Sequence, residues 1–550
     1  MAYLVMIFII LIFNCFIFRE YKKNRSDDKF FYLITFVIVT VAIVVRFYNI
    51  ESLPGLQIDE AMAGYDAWSI ANYGVDSALN RLPIYLVSYG SGQSAVYAYM
   101  AVPFIKLLGL TIFSIRLPML LVSTCTIFLL MYTLLKKMES RKLIVTILFF
   151  ISINPWSIMG SRFGLDANIA PNLILQAICW LILGASTEKG KRIYYYSLSI
   201  ILLCLTAYSY IATWYFLPIF LIGLVYLVKK NQLITNRQII ILTAIATLCI
   251  IPIVIFAGIQ FFGDNNVSLF KITIPKLLYT QNEGQTILYN DNLFISIIDN
   301  LREGISLLIH GVDGARFSTL NGFGFIYNLA GVFLLFLGVV KIIRKKDLFS
   351  KVIFLWLLAA IPCIVIVTPL VHHWNIIMFP LIIIASYGLE SLWVYTHKVT
   401  DNMAIVFFLC LFVLFIKDYT SNQEMRNGSY IMSTNLKTVI NKTNKFENVL
   451  VYRDSLVQQG DLQFIYFRFF DPISPYEWQS EKDEPYSKEN NITRFKYGKY
   501  YFYSDNEEIE NLSQSDSVFI LGNRGKTNIT EFETNQFKVE KIDEFTLIYK

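Results

Sequence analysis

Three short polar stretches in this otherwise apolar chain contain residue types that could carry out chemistry. Asp59-Glu60 follows closely on a hydrophobic segment, Arg162 and Asp166 lie in a short connection between two such segments, and His372-His373 follows another. A charged residue at the boundary of a bilayer is unfavourable unless it is hydrated, paired or bound to a ligand. Such carboxylates could act as a general base towards a hydroxyl group, and such arginines could hold a phosphate.

Each stretch also has a structural interpretation, which the sequence leaves open. The two acids of the first stretch could be solvated loop residues. Arg162 and Asp166 are four residues apart and could form a local ion pair. His372-His373, together with Trp374, could belong to the aromatic belt of a membrane protein.

The elements that must position these residues are membrane-spanning helices. The chain has 550 residues, of which 55% are hydrophobic and 16% are charged, and its mean hydropathy is +0.51. So many apolar residues cannot be buried in one soluble core, and the apolar segments have the length of spanning helices. The sequence therefore predicts an α-helical polytopic membrane protein.

Twelve apolar segments are predicted to span the membrane. They are residues 3–18, 30–50, 111–135, 144–159, 167–185, 194–209, 214–228, 239–257, 323–340, 353–368, 376–395 and 403–416. Because Lys and Arg are concentrated in alternate connections, the positive-inside rule predicts that both termini are extracytoplasmic. The three polar stretches then share the outer surface. The apolar stretch 94–109, interrupted by Pro103 and Lys106, is predicted to lie in the outer interface.

The composition becomes polar and aromatic from residue 417, which predicts a second domain. We expect residues 1–416 to form the transmembrane domain, with outer loops at 51–110 and 258–322. Residues 417–550 are expected to form a small extracytoplasmic α/β domain. Its strands are predicted at 448–452, 499–503, 517–521 and 545–549. This part contains no nucleophile motif, P-loop or dinucleotide fingerprint.

Charge and cysteine content argue against other classes of protein. The formal net charge is +6, but the basic residues lie mostly in short connections, so nucleic acid is not an expected partner. All seven cysteines lie in apolar segments, and the sequence shows neither a disulfide framework nor a zinc site.

A series of short motifs runs through about the first 170 residues. They are Arg46-Phe47-Tyr48, Pro54-Gly55-Leu56, Asp59-Glu60-Ala61, Gly64-Tyr65-Asp66-Ala67, Leu82-Pro83-Ile84-Tyr85, Arg116-Leu117-Pro118 and the stretch 154–168. The series resembles the membrane-embedded GT-C glycosyltransferases. Within that class it is similar to family 39, the branch with the protein O-mannosyltransferases and the aminoarabinose transferases of lipid A. Over the rest of the membrane part the resemblance is topological.

This resemblance implies an activity. Members of the family take a sugar from a polyprenyl-phosphate carrier at the outer surface and transfer it, with inversion, to an acceptor hydroxyl. The resemblance implies that Asp59, with Glu60 beside it, is the base or positions the acceptor, and that Asp166 is the acid of the second outer loop. A sugar hydroxyl is a poor nucleophile at neutral pH, so a carboxylate that takes its proton fits this role.

The carrier phosphate needs positive charge or hydrogen-bond donors at its oxygens. Some relatives have a lysine for this purpose where the chain has Gln93, which supplies no charge. Phosphate binding is therefore expected from Arg46, Arg81, Arg116 or Arg162, although Arg46 and Arg116, each taken alone, are better explained by snorkelling to the interface. Gln93, His372 and His373 are accessory candidates.

The expected partners are the lipid-linked sugar donor, the bilayer, and an envelope glycan, lipid or protein as acceptor. The expected location is the plasma membrane, with the active site on the extracytoplasmic side. No cofactor is required, although the paired acids could hold a divalent cation together with water.

Two other classes of function compete with this interpretation. A transporter or flippase of a lipid-linked glycan would show paired halves with interrupted helices and charges deep in the bundle, and no such repeat is evident. A receptor whose tail binds a wall polymer would not need twelve spans.

Overall fold

The computed structural model of the chain describes residues 1–24, 28–88, 91–263, 265–269, 271–277, 286–311, 313, 322–395, 398–428, 430–452, 455–456, 462–480, 494–503, 517–522 and 537–549. The α-helices in the first half of these residues are α1 (Ala2–Asn24), α2 (Lys29–Phe47), α3 (Ile58–Tyr73), α4 (Ala95–Leu108), α5 (Ile112–Lys137), α6 (Arg141–Ile153), α7 (Pro155–Gly160), α8 (Ile169–Ala185), α9 (Arg192–Ser209), α10 (Thr213–Lys230) and α11 (Asn236–Phe262).

The second half continues the helical pattern. Its helices are α12 (Leu293–His310), α13 (Asn328–Arg344), α14 (Leu348–Ala359), α15 (Ile361–Ile366), α16 (Val371–Trp374), α17 (Met378–Tyr395), α18 (Lys398–Ser421), α19 (Leu436–Thr443), α20 (Phe464–Phe470) and α21 (Pro475–Ser480). Short 3₁₀ turns occupy Asp166–Asn168, Ile287–Tyr289, Asn375–Ile377 and Gln423–Met425.

Nine helical segments of the described chain are long and apolar enough to cross a membrane, as expected for a polytopic membrane protein. The three remaining predicted spans are also helical. They correspond to α9, to the 17-residue α13, and to α6 with α7, which are separated at Asn154. The fold class is confirmed, and the count of twelve spans stays a prediction.

The break between α6 and α7 follows directly from the sequence. Pro155 has no N–H group, so the carbonyl of Ile151 has no helical donor. Arg46 on α2 donates to that carbonyl at 3.1 Å, and the Asn154 side chain accepts from the Ser157 N–H to begin the new helix. The break thus fixes α7, and the polar turn that follows it, against the end of α2.

The strands form one large sheet and three small hairpins or pairs. The strands are β1 (Leu56–Gln57), β2 (Tyr85–Ser88), β3 (Ser91–Ser94), β4 (Val267–Leu269), β5 (Ile272–Ile274), β6 (Ile431–Met432), β7 (Asn448–Tyr452), β8 (Arg494–Tyr497), β9 (Tyr500–Tyr503), β10 (Ser517–Gly522), β11 (Lys538–Ile542) and β12 (Phe545–Tyr549). The large sheet has the order β11-β12-β10-β7-β9-β8, with β7 parallel to both of its neighbours. The four predicted tail strands are present, and the predicted α/β character of the tail is confirmed.

The tail packs directly on the segment that follows α2 and contains β1 and α3. Strand β1 pairs with β6, so that Leu56 lies opposite Met432 and Gln57 opposite Ile431. Helix α20 packs against α3, where Phe469 lies so close to Gly64 that a Cβ there would be 2.5 Å from the ring. The hydrophobic core therefore continues from α3 and α4 into the tail. The division of the chain at residue 416 stays a prediction, and α18 itself continues to Ser421.

Candidate active site

Helix α3 begins directly at the acidic stretch. Gln57 is its N-cap: the side-chain oxygen accepts from the N–H groups of Asp59, at 2.6 Å, and of Glu60, at 3.0 Å. The Glu60 carboxylate accepts in return from the Gln57 N–H at 3.2 Å, which completes a capping box. Strand pairing of Gln57 with the tail holds this cap in place.

Asp59 is the acid of this stretch that remains available to a substrate. Its side chain is half-buried, and its Oδ2 atom accepts a hydrogen bond of 3.0 Å from the Gln57 amide. Burial raises the pKa of the Asp59 carboxyl above its ordinary value, the Gln57 hydrogen bond opposes this, and the nearby Glu60 charge adds to it. A raised pKa makes a carboxylate a better proton acceptor.

Glu60 is instead committed to structure. Its two oxygens accept from Arg116 Nε and Nη2, at 2.8 Å each, and Oε1 also accepts from the Gly164 N–H at 2.6 Å. Both side chains of this ion pair are fully buried. With the Gln57 bond these contacts occupy both oxygens of Glu60, so we no longer assign it to catalysis.

Arg116 has no N–H group left for a phosphate. Beyond its bidentate contact with Glu60, it donates to the carbonyls of Ile50, Pro54 and Gly55 at 2.7–2.8 Å. A guanidinium has five N–H groups, and these contacts use them all. The predicted phosphate ligand is therefore a buried clamp that shapes the loop before α3.

Asp166 reaches the same region from the turn that follows α7. Its Oδ2 atom accepts from the Ser94 N–H at 2.9 Å, and its Oδ1 atom from the Ala167 N–H at 2.8 Å. Gln93, the residue before Ser94, donates a weak bond of 3.4 Å to the carbonyl of Asp59. Because consecutive residues are only 3.8 Å apart, strand β3 brings the two acids together.

Two tyrosines complete this acidic cluster. Burial raises the pKa of the Tyr210 hydroxyl well above its ordinary value, and the charges of Asp166, Tyr85 and Asp59 add to the effect in that order. Burial likewise raises the pKa of the Tyr85 hydroxyl, and the charge of Asp166 adds to the effect. Such electrostatic coupling requires proximity, so all four side chains share one site.

An apolar cavity of about 190 Å³ adjoins the cluster. Tyr85 and Gly92 of the β2–β3 hairpin form one wall, and the facing ends of α10 and α11 supply Trp214, Phe256 and Phe261. A Cβ at Gly92 would lie 2.4 Å from the Tyr85 ring, so only glycine fits this wall. The cavity lies where two apolar helices end, at the level of the acids.

Gln93 has a buried acceptor with no partner. The side chain is only 7% exposed, and its Oε1 atom has no hydrogen bond among the described residues. A buried polar atom of this kind is unfavourable unless a substrate or water satisfies it. The predicted accessory residue thus faces the site as a hydrogen-bond acceptor.

Arg162 and Asp166 do not form the local ion pair that the sequence also allowed. Arg162 is fully buried and donates to four carbonyls, those of Val45, Arg46, Tyr48 and Leu53, and to the Tyr419 hydroxyl. The carbonyls of Val45, Arg46 and Tyr48 lie at the end of α2, where helical donors are lacking, and that of Leu53 lies in the loop that follows. Arg162 is therefore a C-terminal cap of α2 and has no N–H group left for a phosphate.

Arg46 is likewise inaccessible to a carrier lipid. It is 1% exposed, and its Nη groups donate to the carbonyls of Ala42 and Ile151 and to the Ser157 hydroxyl. Its Nε atom has no partner among the described residues, and the side chain lines a cavity of about 10 Å³. That volume is sufficient for one water molecule but not for a phosphate.

Two cations remain for an anionic ligand. Arg81 is exposed, and in the part of the chain that the structure describes its guanidinium makes no ion pair with another side chain. Lys276, which the sequence did not single out, donates to the carbonyls of Gln260 and Ile259 at 2.7 and 3.3 Å. The apolar cavity is lined by Gln260, whose carbonyl Lys276 contacts, and by Leu277, which follows Lys276 in the chain. Lys276 therefore lies at the rim of the cavity.

The histidine pair lies behind Tyr210. The rings of Tyr210 and His373 are stacked with centroids 6.1 Å apart, and His372 lies 4.3 Å from His373. His373 Nδ1 donates to the Thr368 carbonyl at 2.9 Å, which leaves Nε2 as an acceptor. The pair thus supports the acidic cluster through Tyr210.

No group of three or more His, Cys, Asp or Glu side chains suited to a metal occurs within the described residues. The carboxylates of Asp59 and Asp166 and the Gln93 Oε1 atom are oxygen ligands of the kind that Mg²⁺ or Ca²⁺ accepts with water. Within the described residues these three oxygens are the candidates for a divalent cation that we carry over from the sequence.

Arg162 and Asp166 should respond differently to substitution. We expect Arg162→Ala to lower the melting temperature, because four carbonyls lose their donor. Asp166→Asn should lower turnover with a smaller effect on melting, since the amide oxygen keeps one of the two backbone N–H bonds and only the other is lost. The measurement is thermal unfolding beside turnover for both variants. Strong coupling in a double-mutant cycle would contradict the assignment of separate roles.

The fold and this site define the class of the molecule: a multi-pass membrane protein with the GT-C fold, as the sequence resemblance implied. The chain is similar over 93% of its length to two structures of ArnT from Cupriavidus metallidurans, of which it covers 97%. The TM-score is 0.52 for ArnT bound to undecaprenyl phosphate and 0.51 for apo ArnT, at 10% and 11% sequence identity. At such identity the similarity shows the fold alone.

By sequence the chain stands further from known proteins. No protein-family model matches it, and no curated protein sequence matches it significantly.

Proposed function

We propose that the protein transfers a sugar from a polyprenyl-phosphate carrier to a hydroxyl group of an envelope acceptor. One observation supports the proposal: the start of α3 and the turn after α7 bring Asp59 and Asp166 together beside an apolar cavity. A polar reaction centre next to a hydrophobic channel suits a substrate that joins a sugar to a lipid.

The reaction assigns a separate role to each acid. Asp59 accepts the proton of the acceptor hydroxyl while the oxygen of that hydroxyl forms a bond to the anomeric carbon of the sugar. The bond from that carbon to the carrier phosphate breaks on the opposite face, and its electrons leave with the phosphate oxygen, so the configuration inverts. Asp166, held by two backbone N–H groups, orients the acceptor.

The carrier chain would occupy the apolar cavity, with its phosphate at the rim. ArnT, which shares the fold, has been crystallised with undecaprenyl phosphate. In this chain Lys276 and Arg81 are the cations that can reach such a phosphate, because the guanidinium groups of Arg46, Arg116 and Arg162 are committed elsewhere. Lys276 stands at the end of α11, where a departing phosphate would be stabilised.

The proposal places the acidic cluster on the extracytoplasmic side of the plasma membrane. We expect a cysteine at Ser52, which is exposed near the cluster, to react with an impermeant thiol reagent in intact cells. A cysteine at Asn231, exposed at the opposite end of α10, should react only after lysis. The parent chain provides the background from its own cysteines. The reverse labelling pattern would refute the orientation.

Turnover should fall on acidification at a higher pH than an ordinary aspartate would give. The pKa of Asp59 is raised by burial, and the base works only when it is deprotonated, so activity is lost as pH falls through that raised pKa. The measurement is kcat/KM from pH 4 to 9 with the protein kept folded. The residual activity of Asp59→Asn should lack this limb, and a wild-type limb at or below pH 4 would disprove the prediction.

Direct assay of both bond changes tests the function. Purified protein in nanodiscs would receive a radiolabelled polyprenyl-phosphate hexose or pentose together with an envelope extract. We expect release of polyprenyl phosphate and transfer of label to the extract. Movement of intact donor across a vesicle membrane without bond cleavage would support a flippase instead, and unaltered donor with every sugar tested would overturn the transferase assignment.

A further inference from the structure

A second and larger cavity lies at the other end of the helix bundle. It has a volume of about 610 Å³ and is enclosed by the ends of α5 and α8, the starts of α6 and α14, and Tyr387 of α17. Helix α5 starts near the acidic cluster and ends at Lys137 on the rim of this cavity. Its 26 residues rise 1.5 Å each, so the two sites are about 39 Å apart. The cavity therefore plays no part in the proposed reaction.

The floor of this basal cavity is apolar or already satisfied. Leu134, Leu143 and Ile182 supply apolar surface. The Asp347 carboxylate accepts from the Ser350 N–H at 2.8 Å and from its hydroxyl at 2.7 Å, and this hydroxyl lies 2.7 Å from that of Tyr387. These groups have no unmet need for a ligand.

The rim differs, because three of its charges are unpaired. Lys137, Lys345 and Glu139 line the cavity and are exposed, and no ion pair or hydrogen bond involves their charged atoms within the described residues. Their neighbours behave otherwise: Lys136 pairs with Glu20 at 2.6 Å, and Lys341 pairs with Glu390 at 2.8 Å. The charges at the cavity rim are thus available to a ligand.

We propose that the basal cavity binds the head group of a phospholipid that carries both a phosphate and a primary ammonium group. Lys137 and Lys345 supply two cations for the phosphate, and Glu139 supplies an anion for the ammonium group. The apolar floor accommodates the start of the acyl chains. The volume suits a head group and its glycerol, and basic pockets between spanning helices are known to hold lipid phosphates.

The charge pattern selects this class over other amphiphiles. A purely anionic head group would pair with Lys137 and Lys345 but would bring no ammonium group to meet the carboxylates of Glu139 and Asp347, which line the same cavity. Free inorganic phosphate would leave the floor of Leu134 and Leu143 uncovered. A zwitterionic head group above two acyl chains meets both requirements at once.

Native mass spectrometry of the full-length protein in detergent tests the proposal. The probes are short-chain phosphatidylethanolamine, short-chain phosphatidylglycerol and inorganic phosphate. We expect one tightly held phosphatidylethanolamine, with affinity at least about tenfold above that for phosphatidylglycerol. Removing both rim cations, Lys137→Ala with Lys345→Ala, should lower that affinity at least about tenfold. Glu139→Gln should abolish the preference between the two lipids.

A matched control uses Lys229→Ala with Lys346→Ala. These lysines are exposed at the same end of the bundle, the charge change is the same, and neither lines the cavity, so binding should be unchanged. Ser186→Trp, which fills the cavity without altering its charge, should block binding. The proposal would be overturned if the control variant lost as much affinity, or if the two lipids bound equally well. It would also be overturned if millimolar phosphate displaced the lipid, or if Ser186→Trp bound it undiminished.

Discussion

Asp59→Asn will lower turnover by a factor of about 10²–10⁴ while the protein stays folded, because it removes a general base and little else. The amide has the shape of the carboxylate, and its oxygen can still accept the 3.0 Å hydrogen bond from Gln57. The backbone N–H of residue 59 keeps its bond to Gln57, so the cap of α3 is preserved.

The measurement compares kcat for wild type and Asp59→Asn at equal amounts of folded protein, with melting temperature as the folding control. Glu51→Gln is the matched variant, since Glu51 is an exposed acid in the same loop and should leave both quantities unchanged. Wild-type turnover by Asp59→Asn would remove Asp59 from the mechanism.

The adjacent acid should give the opposite result. We expect Glu60→Gln to lower the free energy of unfolding by about 3–5 kcal/mol, because it leaves the fully buried Arg116 guanidinium without its counter-charge. Arg116→Lys should also destabilise, since an ammonium group has three N–H donors and cannot replace five bonds to Glu60 and three carbonyls. The measurement is thermal or denaturant unfolding in detergent.

Removing both charges distinguishes the contribution of the ion pair to stability from that of the packing around it. The double variant Glu60→Leu with Arg116→Met should be less destabilised than the sum of its single changes, because neither partner is then buried alone. Glu188→Gln, which alters an exposed pair with Lys191, serves as the control and should leave melting unchanged. Full stability of Glu60→Gln, coupled with lost turnover, would return Glu60 to catalysis.

These two predictions together explain why neighbouring acids have different roles. Successive residues of an α-helix point about 100° apart around its axis. Glu60 is the third residue of α3 and turns inward to the cap and to Arg116, whereas the Asp59 carboxylate accepts from the Gln57 amide and lies close enough to Asp166 and Tyr210 for its charge to raise their pKa values. The sequence Asp59-Glu60 alone contains no information about which way α3 faces.

The arginines illustrate the same distinction. Their position at the outer level is readable from the sequence, and so is the need of a phosphate for positive charge. Their actual partners are backbone carbonyls freed at the end of α2, at the break before Pro155, and in the loop before α3. These carbonyls lack a donor only once the helices have ended and the loops have folded, so no sequence motif predicts them.

Much of the fold was already determined by the sequence. The apolar segments predict the helices, the alternation of basic connections predicts a shared outer level for the polar stretches, and the strand patterns predict the α/β tail. These features are readable because burial of apolar surface and backbone hydrogen bonding act locally along the chain. Tyr210 and Lys276 escaped notice because a single tyrosine or lysine in an outer loop is unremarkable by itself.

Only the tertiary structure decided which polar residues are free to act. Asp59 and Asp166 come from loops more than a hundred residues apart and meet through strand β3, while Glu60, Arg116 and Arg162 are used up in holding that arrangement. The physical reason is that a buried charge must be satisfied, and its partner is chosen by three-dimensional proximity, which residue type and spacing do not encode.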